Sequence, residues 1–204
     1  MNLIERAKNI VLQPKSEWQV IAGETTTTGD LYKNYIVPLA AIGPVASFLG
    51  LSLIGTSVPF LGTIRMPFLS GLSMAVVSYV MALVGVFVIA LVIDYLAPHF
   101  GGEKNPIQAL KVAAYSFTPA WLAGVLHLIP MLGVLVLLAS LYGLYLLYLG
   151  LPVLMKAPQD KAVPYTAVVV VCAIVVSVII GVVAGLFGGI GGMHYGMPGA
   201  PGMQ

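Results

Sequence analysis

Five apolar runs, at about 34–57, 71–96, 109–129, 133–155 and 165–188, take up most of the 204 residues and decide what the chain can become. A helix rises 1.5 Å per residue, so about 20 apolar residues cross the hydrocarbon core of a bilayer, and each run meets that length. Inside lipid every backbone N–H and C=O must be satisfied within the protein, which leaves helices or closed barrels. Ten-residue alternating segments, the mark of a barrel strand, do not occur. The expected fold is therefore an all-α integral membrane protein, a five-transmembrane-helix bundle. Composition agrees: 59% of residues are hydrophobic and 8% charged, where soluble domains carry about 25% charge.

Lys and Arg set the expected orientation, because they are retained on the cytoplasmic side. Arg6, Lys8, Lys15, Lys33, Lys104, Lys111, Lys156 and Lys161 fall on one side of the membrane and Arg65 alone on the other. The N-terminus is placed in the cytoplasm and, after five spans, the C-terminus outside. A net charge of +2 with no basic run excludes a nucleic-acid partner. The first apolar run starts only after Lys33, so no cleavable signal peptide is expected. The single cysteine, Cys172, offers neither a disulfide nor a thiolate cluster.

The chain divides into a leader (1–33), a membrane domain (34–188) and a tail (189–204). In the leader Leu3, Ile4, Ala7, Ile10 and Val11 recur at helical spacing opposite Glu5, Arg6, Lys8 and Asn9, which predicts a short amphipathic helix in the cytoplasmic interface. Pro14 opens a second turn carrying Trp18, Val20 and Ile21. Trp18 and the lysines suit a membrane-surface anchor, and a partner-docking helix is the functional alternative. The stretch GETTTTG reads as a linker, with Asp30 capping the approach to the first span. The tail, GIGGMHYGMPGAPGMQ, is too rich in Gly and Pro to pack and is expected to be disordered. Its Met193, His194 and Met197 are soft ligands for Cu(I) but lack a second cluster, so no metal and no cofactor is expected.

Every span presents small residues, through which helices approach one another in lipid. The last is richest, with Ser177, Gly181, Gly185 and Gly189 at spacing four. In the third span Ser116, Ala120, Ala123 and His127 share one side of the helical wheel, while Thr118 lies opposite and can return its hydroxyl to a carbonyl one turn back. Pro119 removes one backbone donor and is expected to kink that span. A broken helix can also build a transport site. His127 lies near the outer end of its span, either bonded to a neighbouring helix or responding to protons. Asp94, a carboxylate near the cytoplasmic end of the second span, has Lys111 as its expected counter-ion. Tyr142, Tyr145 and Tyr148 climb one side of the fourth span, with Ser78, Ser116 or Tyr79 as expected cross-helix partners. Mid-depth charge, HExxH, GxSxG and paired carboxylates are all missing, so no catalytic role is expected.

The leader with Pro14, Lys15 and Trp18, the five spans, and the motifs AYSFTP (114–119) and LYGLYLLYLGLP (141–152) resemble the Yip1 domain family, especially its short prokaryotic five-span members. The resemblance implies a prokaryotic cytoplasmic (inner) membrane protein that works by association. Eukaryotic members, with the same N-terminus-inside layout, act in vesicle traffic and associate with Rab GTPases and related membrane proteins. Their DLYGP motif is met here by Asp30, Leu31 and Tyr32 followed by Lys33 and Asn34 in place of Gly-Pro. The resemblance thus carries over those three residues as an interaction element and no Rab GTPase binding. Two readings follow. One is a scaffold or adaptor whose leader and loops meet lipid, a membrane-protein partner or a second copy. The alternative is solute, ion or lipid handling along Ser116, Tyr142, Tyr145 and His127.

Overall fold

A computed structural model describes residues 2–58, 62–129 and 132–190. Five helical stretches are long and apolar enough to cross a membrane: Thr28–Ile54, Phe68–Phe100, Pro106–Leu128, Val134–Leu154 and Gln159–Val183. Two short helices precede them, α1 (Leu3–Leu12) and α2 (Pro14–Gly23). The fold is all-α apart from one three-residue antiparallel pair, β1 (Thr56–Val58) with β2 (Gly62–Ile64), between the first two spans. The segment expected to be a tail lies, beyond Ile190, outside the described residues.

The first span is irregular for a reason visible in its prolines. It runs as α3 (Thr28–Leu31), a π-helical turn (Tyr32–Ile36), α4 (Val37–Ala40), α5 (Ile42–Phe48) and a second π-helical turn (Leu49–Ile54). Pro38 has no N–H to return to the preceding turn. The Val37 N–H reaches back five residues to the Tyr32 carbonyl, and the wider turn stands in for the missing bond. The entry is capped by Thr27, whose hydroxyl accepts from the Asp30 N–H at 3.1 Å and donates to the Asp30 carboxylate at 2.7 Å. The cap is Thr27 rather than Asp30, because Asp30 stands three residues inside, where its carboxylate can answer the capping hydroxyl.

The remaining spans are more regular. They are α6 (Phe68–Leu96), α7 (Pro106–Ala123) closed by a 3-10 turn (Gly124–Leu128), α8 (Gly133–Leu154) and α9 (Gln159–Ile190). Asn105 caps α7 by accepting from the Gln108 N–H at 3.1 Å, with Pro106 in the first turn where a missing N–H costs nothing. The helix continues through Pro119 to Ala123, and the Thr118 hydroxyl stands 3.5 Å from the Ala114 carbonyl one turn back.

α7 is the hub. Of the 18-residue apolar stretch within its span 67% is buried, against 6% for that of the last span, because Ala109, Ala113, Ala114 and Ser116 let α6, α8, the first span and the leader close on it. Two glycines show how close the backbones come. A Cβ on Gly124 would stand 2.9 Å from the Gly43 Cα, and one on Gly143 would stand 2.6 Å from the Ser116 carbonyl oxygen. In both cases the obstacle is backbone and cannot rotate away. Gly143→Ala is expected to push α8 off α7 at a cost of about 1–3 kcal/mol, read as a lower Tm in detergent. An unchanged Tm would show that the two helices are not in this register.

Candidate association site

The leader is built into the bundle. α1 turns its buried face, Arg6, Ala7 and Ile10, inward and leaves Ile4 at the surface. This rotates the face that apolar periodicity predicts, because Arg6 finds two carboxylates inside. Its guanidinium pairs with Glu17 on α2 and with Glu24 just beyond it. Tyr115 of α7 lies beneath, its ring centre 5.8 Å from the Arg6 Cζ. Charge-assisted bonds to two carboxylates and a π face offset the desolvation of an arginine that is only 3% exposed.

Trp18 is fully buried, neither at a lipid surface nor offered to a partner. Its ring lies on Gly150 of α8, where an added Cβ would stand 2.8 Å from Cζ2. Its edge meets Tyr115 with ring centres 6.1 Å apart, and Tyr115 in turn meets Tyr35 at 4.5 Å. The Tyr35 hydroxyl is bonded to Thr118 Oγ1 at 2.7 Å. Tyr142 donates to the Val11 carbonyl at 2.7 Å, so its partner is the end of α1 rather than a neighbouring span. In physical terms, the carbonyls at a helix C-terminus are left without intrahelical donors and accept the phenol readily.

Of the element Asp30, Leu31 and Tyr32, only Asp30 is exposed. Leu31 is in the core and the Tyr32 hydroxyl donates to the Leu83 carbonyl of α6 at 2.9 Å. Asp94 and Lys111 do not meet. Lys111 donates instead to the carbonyls of Ile21 and Glu24 at 2.9 and 2.6 Å, drawn to the open C-terminal end of α2, and one Asp94 carboxylate oxygen is buried without a partner among the described residues. Lys156 and Glu103, both exposed, form a further ion pair at 2.7 Å.

The polar residues proposed to line a path are dispersed. Ser116 faces a cavity of about 130 Å³ between α7, α8 and α9, with its hydroxyl unpartnered among the described residues. His127 lines one of about 280 Å³ against the first span, its Nδ1 donating to the Gly124 carbonyl at 3.1 Å. Tyr145 lines a third, beside Lys15 and Trp18. Among the described residues no three His, Cys, Asp or Glu side chains converge on a metal position. Met193, His194 and Met197 lie outside the described residues.

The small-residue stripe of α9 is left open by its own chain. The helix packs on α6 and α8, yet a Cβ at Gly181 or Gly185 would meet nothing within 4 Å, and Ser177 is exposed. Close packing against another span of the same chain, one reading of this stripe, does not occur at these two glycines: Ser177 and Gly181 border a cavity of about 370 Å³ whose far wall is Ser78, Ala82 and Gly85 of α6, so α6 stands off from them. Ile180 Cδ1 comes within 3.1 Å of where a Gly85 Cβ would stand. The side-chain surroundings of Gly189 are not among those described.

An all-α bundle of membrane-spanning length with its leader packed inside defines a polytopic helical membrane protein. The Yip1 domain model matches residues 8–180, and the chain belongs to the Yip1 domain family. It is similar to the inner membrane protein YohC of Escherichia coli K12 and of Escherichia coli O6:H1, 28% identical to each over 157 residues, covering 76% of this chain and 80% of each relative. No solved structure matches.

Proposed function

We propose that this chain is a membrane scaffold of the bacterial inner membrane, working by association through the open face of α9 with a second copy or another membrane protein. The leader (1–33) and membrane domain (34–188) act as one body in this reading, with the N-terminus cytoplasmic and Asp30 presented there. The observation that carries it is the unfilled stripe of Ser177, Gly181 and Gly185. Small residues at spacing four are what allow two helices to approach in lipid, and among the described residues nothing comes within 4 Å of where a Cβ at Gly181 or Gly185 would stand. The eight-to-one distribution of Lys and Arg supports the orientation, and the YohC relatives, named inner membrane proteins, support the compartment. The dispersal of Ser116, Tyr145 and His127 among three cavities favours association over conduction.

The test is a Gly181→Cys chain in a Cys172→Ser background, oxidised in native membranes. A disulfide-linked dimer, or a discrete conjugate with one other protein, is expected. Gly181→Leu with Gly185→Leu should weaken that association by about tenfold or more, while Tm holds because both positions are open. A wild-type chain that stays monomeric and alone in its native lipid would overturn the reading.

A further inference from the structure

Beneath the leader, between α1, the segment 23–26, the start of the first span and α7, lies a cavity of about 470 Å³. That falls within the ~300–1,000 Å³ typical of small-molecule sites. Its walls include Arg6, Glu24, Thr25, Asn34, Lys111 and Tyr115. Two cations so deeply buried, 3% and 2% exposed, are handled differently. Arg6 spends its guanidinium on Glu17 and Glu24. Lys111 has only the main-chain carbonyls of Ile21 and Glu24, and among the described residues no carboxylate lies within 4.0 Å of its ammonium. An ammonium carries three N–H donors, so one is left beside the two carbonyl bonds. The Glu24 carboxylate favours the ammonium only from beyond 4.0 Å and is already paired with Arg6, and a buried charge so weakly compensated is costly unless something pairs with it. The opposite sign is present too: the Glu24 side chain is 40% exposed and the lining residue Asp30 is exposed.

We propose that this cavity binds a phosphate ester bearing an ammonium group, of the phosphoethanolamine class. The phosphate takes the remaining donor of Lys111, and the ammonium faces the carboxylates of Glu24 and Asp30. A lone anion would meet those carboxylates and a lone cation would meet Lys111, so a zwitterion satisfies both. Two sources share this chemistry: a lipid headgroup from the leaflet on the leader side, and a soluble phosphoethanolamine ester.

The full chain in detergent is titrated with phosphatidylethanolamine, phosphatidylglycerol and soluble glycerophosphoethanolamine, with native mass spectrometry as the readout. Retention of the ethanolamine probes about tenfold above phosphatidylglycerol is expected. Competition by glycerophosphoethanolamine would make the source soluble, and retention of the lipid alone would make it the leaflet; either supports the shared chemistry. Lys111→Met should abolish the preference, but it also removes two bonds that hold the leader. The second variant is therefore Asn34→Trp, at an exposed wall position, expected to block binding with Tm unchanged. Equal retention of phosphatidylglycerol, no retention of any probe, or full binding by Asn34→Trp at wild-type Tm would overturn the proposal.

Discussion

Arg6→Met is expected to destabilise the folded chain by roughly 3–5 kcal/mol, the cost of removing one member of a buried charge group. The loss falls mainly on Glu17, whose side chain is 8% exposed and would be left as an unpaired carboxylate in the interior. Glu24, 40% exposed, can turn to water and contributes less. The companion experiment separates desolvation from packing. Arg6→Met with Glu17→Leu should recover much of the loss, because an apolar pair of similar volume removes the stranded charge. Tm of the purified protein in one detergent reads both variants. A wild-type Tm for the single variant would mean that α1 is not docked on the bundle.

Trp18→Ala carries the second large effect, about 3–5 kcal/mol for emptying a fully buried indole site. The site has little means of collapse, since its floor is the backbone at Gly150 and its wall is Tyr115. An interfacial anchor would behave otherwise: its removal would loosen membrane contact and leave Tm nearly unmoved. Fluorescence gives an independent reading, because the chain holds two tryptophans. With Trp121→Phe, the remaining emission should be that of a dry indole, shielded from aqueous quenchers. Quenching equal to that of free tryptophan, or an unmoved Tm in Trp18→Ala, would return Trp18 to the surface. Arg6 and Trp18 both touch Tyr115, so the two losses should not add.

Much of the architecture was legible along the chain. The membrane-spanning helices follow from run length alone, since the bilayer imposes its thickness on each segment separately. The boundaries moved by a few residues: the first span starts at Thr28 because Thr27 caps it, and the last starts at Gln159. The spacing also predicts that Thr118 turns its hydroxyl back one turn, and it stands 3.5 Å from the Ala114 carbonyl. The leader departs from its helical periodicity for a specific reason. Helical periodicity assigns arginine to water, and the carboxylates that make Arg6 an interior residue lie 11 and 18 positions away, on another helix and beyond its end. Lys111 departs from its expected pairing with Asp94 in the same way, since its acceptors are main-chain carbonyls, which carry no sequence signal.

The sequence by itself determined the class of fold, the number of apolar helices and the small-residue faces, because each depends on composition and period within one segment. Only the tertiary structure decided which faces are used. Trp18 meets Gly150, Tyr142 meets Val11 and Tyr35 meets Thr118 across separations that no local pattern records. It also left Gly181 and Gly185 of α9 open while closing Gly143 and Gly150 of α8 and Gly124 just past the end of α7. In a medium without water a polar group is held by whichever distant partner reaches it, and a small residue matters only where another backbone arrives.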